Sequence, residues 1–582
     1  MRTSFAIPST GRGGSALLLT MLTTGAALVM VAGILAYSGS SARLGARSNQ
    51  YHRAVAAAEG ATEKVASQIT RDYLNQGEAM VSANLNTYRQ ISLSPSDSAF
   101  WTGWEFSDAS GHVGMTFVGY NPAAAYIVLN SAYSGLRGYA STCTVVSNAR
   151  QNSAPQDVVG GVLQQLQLAH IPVFQFAMYS SGDMEISCGQ PFTITGRVHS
   201  NGQLYVEPDN LLSFQSDVTA AGDILFQRDP LDSRGAPVGS VVYQAQKSSH
   251  VAPLTLPIGA TNDPTAVRQI IEPPPAGEDP NSPMGRQRYY NETDMVLVVT
   301  NIGTNFVVNG YSGRFNGFAT TIPTNELNLF VSTSASFSDA RESKTVQPVD
   351  INIANLTAWS ATNTDLRVAL GSKDVSSVYV VDSRTLPGTS LGAVRVYNGT
   401  QLPSRGLTVA TGRPLYVWGN YNESSPTNLG TANTSASLPA SLVGDALTIL
   451  SSAWSDANST APVGSRLAGP TTVNAAILAG AVDSAGGSYG GGMENFPRYL
   501  ETWGLANPFT YNGSMVKMFP SLYATNMWGG ANVYSPPKRA WTYDTNFDDP
   551  SKLPPLTPGL LKVIRGLWTT VPPGTTSVPA GS

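Results

Sequence analysis

Residues 15–37 read SALLLTMLTTGAALVMVAGILAY and contain no charged side chain over 23 positions. At about 1.5 Å per residue, a helix of this length crosses a hydrocarbon core of roughly 30 Å. The alternative is a cleaved secretory signal, whose apolar region usually covers about 7–15 residues before an A-x-A-like site. Ile34-Leu35-Ala36 matches such a site poorly. We therefore predict a retained, single-pass transmembrane helix.

The charges on either side of this helix do not decide its orientation. Arg2 and Arg12 precede it, and Arg43, Arg47 and Arg53 follow it. Positive charge alone therefore does not place the N-terminus inside the cell. The remainder of the chain has few charges and many strand-like runs, which favours export of the C-terminal body. We expect an inner-membrane anchor with a periplasmic or cell-surface body.

An apolar stripe continues beyond the transmembrane segment. Its members recur mostly at intervals of three, four and seven residues, which places them on one face of a helix. They are Leu44, Tyr51, Val55, Ala58, Thr62, Val65, Ile69 and Tyr73. The spacing predicts an amphipathic stalk helix over 38–75 that packs sideways against similar helices.

The composition indicates a folded chain with an uncharged polar surface. Of the 582 residues, 42% are hydrophobic but only 12% are charged, against about 25% in ordinary soluble proteins. Such a length fills more than one domain. The formal net charge of −4 gives no basic surface for nucleic acid, which we exclude as a partner.

A 20-residue repeat marks the middle of the chain. Val198, Gly202 and Leu204 of the first copy correspond to Val218, Gly222 and Ile224 of the second. Alternating apolar positions with a turn glycine are typical of stacked β coils. Two copies leave two alternatives open, a β-helix-like body and a β-sandwich. Either way, the fold class is mainly β with a long N-terminal transmembrane and stalk helix.

These patterns divide the chain into seven segments. We predict a basic leader-like segment (1–14), the transmembrane helix (15–37), the stalk helix (38–75), a mixed region leading into β repeats (76–250), a Pro-rich linker (251–290), a β-rich body (291–470) and an aromatic-rich C-terminal region (471–582).

The basic leader ends in Arg12-Gly13-Gly14-Ser15, and the stalk contains Ala56-Ala57-Ala58-Glu59-Gly60-Ala61. About residues 10–75 resemble the N-terminal region of PilX-type minor pilins. The resemblance implies a subunit of type IV pilus or type II secretion machinery, cut between Gly14 and Ser15. Many pilins carry Glu at the fifth mature position, where this chain has Leu19.

Aromatic and turn residues are densest near the end of the chain. Residues 492–503 read GMENFPRYLETW and residues 534–544 read YSPPKRAWTYD. About residues 470–568 resemble the C-terminal region of cell-envelope proteins that have pilin-like N-termini, such as the hormogonium polysaccharide secretion proteins. That resemblance implies a function at the cell surface or in secretion rather than catalysis of a reaction.

Cysteine and histidine give no sign of a metal site. Cys143 and Cys188 either form a disulfide in an oxidising compartment or remain buried free thiols. There is no CxxC pair, and the five histidines are scattered. Asp544-Thr545-Asn546-Phe547-Asp548 begins like a calcium loop but lacks the Gly at position six and the Glu at position twelve.

No motif of a known catalytic type occurs in the sequence. Glu494 and Glu501 could form a glycosidase-like carboxylate pair, but a Glu–Arg–Glu network with Arg498 on one helical face is the simpler interpretation. We expect no cofactor and no enzymatic activity.

The leading hypothesis is a pilin-like structural or assembly protein of a bacterial-type cell envelope. Its partners would be the membrane, other pilin-like or secretion-machinery subunits, and polysaccharide. The alternatives are a membrane-tethered β-helix enzyme that acts on polysaccharide, and a surface adhesin.

Overall fold

The computed structural model describes residues 13–129, 133, 135–152, 157–302, 305–312 and 320–577. One helix dominates the N-terminal part, and short helices occur elsewhere. The α-helices are α1 (Gly13–Gln76), α2 (Glu78–Ala83), α3 (Leu85–Arg89), α4 (Pro264–Arg268), α5 (Tyr289–Glu292), α6 (Thr324–Leu327), α7 (Ile353–Thr362) and α8 (Thr364–Ala369).

Strands make up most of the remaining regular structure. The first fourteen are β1 (Trp104–Ser107), β2 (Phe117–Val128), β3 (Arg137–Gln151), β4 (Val159–Pro172), β5 (Met178–Ser180), β6 (Met184–Ile186), β7 (Phe192–Ile194), β8 (Val198–Ser200), β9 (Leu204–Val206), β10 (Leu211–Phe214), β11 (Val218–Ala220), β12 (Ile224–Leu225), β13 (Ser240–Tyr243) and β14 (Lys247–Ser248). The others are β15 (Met295–Ile302), β16 (Asn305–Ser312), β17 (Thr320–Ile322), β18 (Val331–Ser332), β19 (Phe337–Asp339), β20 (Lys344–Asn352), β21 (Ser377–Asp382), β22 (Ser390–Gly399), β23 (Leu407–Thr411), β24 (Leu415–Tyr421), β25 (Ala440–Gly444), β26 (Leu447–Leu450), β27 (Thr471–Asn474), β28 (Ala476–Ala481), β29 (Pro497–Tyr499), β30 (Thr502–Gly513), β31 (Met515–Pro520), β32 (Ser535–Tyr543) and β33 (Gly559–Val571). The predicted fold class, mainly β with a long N-terminal helix, is confirmed.

An antiparallel sheet packs against the C-terminal half of α1. Its strands run in the order β1-β3-β4-β33, and β2 pairs with β3. The last strand comes from the far end of the chain, and Gly559 lies opposite Pro172 in the register. Residues 173–558 are therefore inserted between two neighbouring strands of this sheet.

The inserted segment forms a stack of parallel strands. In the first coils, β5, β8, β11 and β14 pair in succession, as do β6, β9 and β12, and β7, β10 and β13. Val198 lies opposite Val218, and Leu204 opposite Ile224, as the 20-residue repeat predicts. Because equivalent side chains repeat in register, apolar residues form continuous buried columns inside the stack.

The second part of the insert builds coils of the same kind. Strands β15, β21, β23, β25, β28 and β31 pair in parallel, in that order. Strands β20, β22, β24, β27, β30 and β32 form a second parallel sheet beside them. At the far end, β16 and β17 add antiparallel strands to β15.

The two parts join through β5 and β31. Met178 pairs with Met515 in parallel, and the backbone N–H of Met515 donates to the carbonyl of Ala177 at 2.9 Å. The coils therefore follow one another in space from β15 to β31 and then from β5 to β14. The chain starts in the middle of the stack, winds to one end, and resumes at the other.

Residues 249–294 connect those two ends, and we call this segment the strap. It runs over the outer face of the longer sheet and contacts the coils in spatial order. At the first coils, the Val251 N–H donates to the Ala220 carbonyl at 3.1 Å, and Asn201 Nδ2 donates to the Leu254 carbonyl at 2.7 Å. Further along the stack, the Arg268 guanidinium donates to Asp445 at 2.6 Å. Near β15, the Tyr379 hydroxyl donates to the Ile271 carbonyl at 2.6 Å. Its buried apolar residues include Leu254, Leu256, Val267, Ile270 and Ile271. The Pro-rich segment 251–290 is thus packed along the body.

Buried ion pairs reinforce the coils. The Arg395 guanidinium of β22 donates hydrogen bonds to Asp350 on the neighbouring strand β20 and to Asp456 in the loop after β26, each at 2.7 Å. Arg395 is almost completely buried, so its charge requires both carboxylates. The pairs fix β20, β22 and the loop after β26 in one arrangement.

We predict that the turn before β23 requires glycine. Gly406 has a φ of +83°, and a Cβ there would lie 1.9 Å from the Pro439 carbonyl oxygen. Gly419 also has a positive φ, +80°, but has no neighbour within 4 Å of its Cβ position. In denaturant titrations, Gly419→Ala should lower the free energy of unfolding by about 1–2 kcal/mol, from backbone strain alone. Gly406→Ala should cost clearly more, and equal losses would contradict the close approach.

Candidate functional site

The N-terminal half of α1 projects from the body without contacts. Every residue from 15 to 49 is exposed, including Leu17, Leu28, Leu35 and Tyr37 at 65–78%. Within the described residues, this is the one helix long and apolar enough to cross a membrane. Its apolar run is about 35 Å long, slightly more than a typical hydrocarbon core. So much exposed apolar surface requires lipid or other helices around it.

The predicted stripe divides into two parts. Leu44 and Tyr51 are exposed, at 68% and 37%, and Val55 is half-buried. Ala58, Val65 and Ile69 are fully buried against the antiparallel sheet. The structure therefore brings the second part of the stripe onto this chain's own sheet. The stripe residues that remain exposed for a neighbouring helix are therefore Leu44 and Tyr51.

Small residues allow α1 to approach the sheet closely. Ala54, Ala57, Ala58 and Ala61 face it, and a Cβ on Gly160 of β4 would lie 2.5 Å from the Val55 nitrogen. Glycine and alanine keep the two backbones near each other because they lack bulky side chains. The sequence segment 56–61 thus forms the helix side of a tight helix–sheet interface.

Glu63 fixes the helix laterally. Its carboxylate accepts hydrogen bonds from Gln164 of β4 at 2.8 Å and from Arg565 of β33 at 2.8 Å. The Arg565 hydrogen bond lowers the pKa of Glu63, although partial burial acts in the opposite direction. One side chain of the helix therefore holds two neighbouring strands, one from each side of the insert.

The predicted processing site lies at the start of the helix. Gly14 belongs to the first turn of α1, and Ser15 is exposed. Residues 1–12 of the leader lie outside the described residues. Cleavage between Gly14 and Ser15 stays a prediction.

The two cysteines are buried free thiols in separate clusters. Cys143 of β3 packs against α1, whereas Cys188 lies inside the first coil of the stack. Burial raises the pKa of both thiols to about 12, which keeps them protonated and unreactive. Of the two alternatives that the sequence leaves open, the structure has the free thiols.

The Glu–Arg–Glu network predicted for residues 494–501 is wrong. Pro497–Tyr499 is a strand, so the helical spacing that would align the three side chains does not arise. Arg498 pairs with Glu342, Glu494 accepts from the Ser187 N–H at 3.0 Å, and Glu501 accepts from the Ser451 N–H at 2.7 Å. Each carboxylate is buried and hydrogen-bonded within the body.

A second group of buried carboxylates was not foreseen from the sequence. Glu207 is fully buried, and one of its oxygens accepts from Arg228 and Arg234, each at 3.1 Å. The Arg234 guanidinium also lies 3.5 Å from the centre of the Tyr489 ring, whose hydroxyl donates to Glu494. These contacts tie the loop after β12 and the glycine-rich loop before β29 to the first coils.

Both acidic residues of the segment 544–548 accept hydrogen bonds from neighbouring protein groups. Asp544 Oδ1 accepts from Thr434 Oγ1 at 2.9 Å and from the Asn546 N–H at 3.1 Å. Asp548 Oδ1 accepts from the Tyr543 hydroxyl at 2.9 Å. Among the described residues, no group of three His, Cys, Asp or Glu side chains is placed to hold a metal ion.

One cavity lies between α1, the antiparallel sheet and the strap, with a volume of about 520 Å³. Tyr73, His170 and Arg286 contribute to its walls. Of these, the sequence singled out only Tyr73, as part of the apolar stripe. Their convergence depends on the path of the strap, for which no sequence signal exists.

No protein-family model matches the chain, and no curated protein matches it significantly. Among solved structures, the chain is similar to the competence-associated pilin ComZ from Thermus thermophilus, with 10% identity and a TM-score of 0.26. The alignment covers 90% of this chain and 98% of ComZ. This TM-score is too low for the likeness to bear on the fold or function of this chain.

We predict that Ala58 tolerates no larger side chain. Ala58→Leu should lower the free energy of unfolding by about 1–3 kcal/mol, because the added atoms have no space between helix and sheet. Ala56 is exposed on the same helix, so Ala56→Leu should change stability by about 0.5 kcal/mol or less. Denaturant titration followed by tryptophan fluorescence measures both. A stable Ala58→Leu variant would contradict the interface.

We also predict a pH-dependent contribution from Glu501. Burial raises its pKa from the ordinary 4.5 to about 7. Between these values the folded state keeps a proton that the unfolded chain releases, so stability falls as pH rises from about 4.5 to 7. The slope is at most about 1.4 kcal/mol per pH unit. Glu501→Gln should flatten this dependence in denaturant titrations across that range, and an unchanged slope would refute the assignment.

Proposed function

We propose that the chain is a membrane-anchored, pilin-like structural subunit of the cell envelope. The observation that carries the proposal is the division of α1 into an exposed apolar half and a half that is buried on its own sheet. One continuous helix thereby links a segment suited to lipid with a folded body. No loop interrupts the helix between the two halves.

The stretch between the two halves supports this arrangement. Residues 38–53 are helical, mostly polar and exposed, and they extend over about 24 Å. In a single-pass orientation with the body outside the cytoplasm, this stretch holds the body away from the bilayer. Leu44 and Tyr51 are the apolar side chains it offers to neighbouring helices.

We extend the proposal to type IV pilus or type II secretion-type machinery, based on the sequence resemblance of residues 10–75. In this setting, the inner membrane holds residues 15–37 before assembly, and the coil stack lies in the periplasm or at the cell surface. Similar subunits would pack beside the exposed helix. The role is structural rather than enzymatic, and the stack presents its outer faces to partners, with polysaccharide among the candidates.

The N-terminus of the native protein tests the machinery part of the proposal. Mass spectrometry of membrane-extracted protein should find Ser15 as the first residue, because leader peptidase would cut after Gly14. Gly14→Val should retain the full leader, while Gly11→Ala, three residues upstream, should be processed normally.

Three outcomes differ in what they reject. An uncut wild-type N-terminus would remove the pilus connection but keep the membrane anchor. A terminus near residues 36–40 would mean a released protein and would reject the anchor as well. Normal cutting of Gly14→Val would move the processing site elsewhere.

A further inference from the structure

The cavity of about 520 Å³ lies where three parts of the chain meet. The end of α1 and the start of α2 form one wall, the antiparallel sheet a second, and the strap a third. Its volume falls within the roughly 300–1,000 Å³ that is usual for small-molecule sites. An adjoining cavity of about 330 Å³ shares His170, Arg286 and Gln287 with it.

Backbone hydrogen bonds fix these walls to one another. The Gly259 N–H of the strap donates to the Asn75 carbonyl at 2.8 Å, at the end of α1. The Leu561 N–H of β33 donates to the Thr255 carbonyl at 2.7 Å. Gly77 ends α1 with a φ of +71°. The cavity is therefore formed before any ligand arrives.

Two polar side chains at the cavity have unused hydrogen-bonding capacity. Tyr73 is fully buried, and its hydroxyl has no hydrogen-bond partner in the described part of the chain. A buried hydroxyl without a partner costs free energy, which a ligand oxygen would recover. Arg286 is exposed at the edge, and the described residues offer its guanidinium neither an ion pair nor a hydrogen bond.

Two side chains that line the cavity carry a charge, Glu78 and Arg286. The Glu78 carboxylate is engaged by a hydrogen bond from Ser141 of β3, whereas the Arg286 guanidinium has no such partner among the described residues. Burial lowers the pKa of His170, so this imidazole is neutral near pH 7. Arg286 is therefore the cation available to a ligand, and a guanidinium binds a carboxylate through two parallel hydrogen bonds.

The remaining lining suits a ring that bears hydroxyl groups. Gln76, Asn281 and Gln287 supply side-chain amides that can both donate and accept. Tyr139 also lines the cavity and is 39% exposed, so its ring is accessible to apolar C–H groups. Tyr73 lies about 54 Å along α1 from Tyr37, the end of the apolar run, so the cavity is far from the bilayer. This distance favours a water-soluble ligand over a lipid.

We propose that this cavity binds a uronic acid unit of an acidic saccharide. Arg286 holds the carboxylate, the amides and the Tyr73 hydroxyl bind ring oxygens, and Tyr139 contacts the C–H face of the ring. The proposal stands on the cavity and does not depend on which machinery the protein serves. A bound saccharide touches both the helix–sheet unit and the strap, so it stabilises their contact.

The experiment is isothermal titration calorimetry on the full chain in detergent, with digalacturonic acid as the ligand and neutral galactobiose as the comparison. The uronate dimer should bind at least tenfold more tightly than the neutral dimer and should raise the Tm. Arg286→Gln should weaken uronate binding at least tenfold, because the paired cation is lost. Tyr73→Phe should weaken it severalfold, because the hydroxyl contact is lost.

Matched controls separate the site from general effects. Lys538→Gln removes another exposed cation, and Tyr421→Phe removes another buried hydroxyl without a partner, inside the stack. Both should bind like the wild type. The proposal is overturned if neither saccharide binds, if both bind equally, or if the controls lose as much affinity as the site variants. Arg286 is exposed, so its variant still gives an answer if Tyr73→Phe fails to fold.

Discussion

The parallel pairing of β5 with β31 is the contact on which the rest of the body depends. It joins segments 338 residues apart, as in the hydrogen bond from Ser514 to the Phe176 carbonyl. Without it, each part of the stack would end in a row of unpaired backbone groups and an uncovered apolar column. The pairing converts two short stacks into one, so the hydrophobic interior is continuous across the junction.

The single helix solves a different problem, because it passes through three environments without a break. Its apolar first part is suited to lipid, its polar middle to water, and its alanine-rich last part to the surface of a sheet. A helix satisfies its own backbone hydrogen bonds in all three settings. The side chains alone therefore determine which part lies where, and Glu63 sets the final orientation through its contacts with two strands.

The sequence predicted local features well and long-range ones poorly. The uncharged run of residues 15–37 and the pairing of Val198 with Val218 follow from periodicity, which is a local property. The path of residues 251–290 does not, because their prolines suggest a linker while Leu254 and Ile271 are buried. The spacing of Glu494 and Arg498 suggested a helix, but the neighbouring coils impose a strand. The walls of the cavity come from segments with no common pattern.

The length of the strap must match the length of the coil stack. It must reach from one end of the stack to the other, while each added coil lengthens the stack by about 4.8 Å. An extended chain spans at most about 3.3–3.6 Å per residue, so every new coil demands one or two more strap residues. The antiparallel sheet is free of this constraint, because Pro172 and Gly559 stay paired whatever the number of residues inserted between them. Adding or removing a coil during evolution therefore requires a matching change in the strap. Helix α1 and the antiparallel sheet can stay the same.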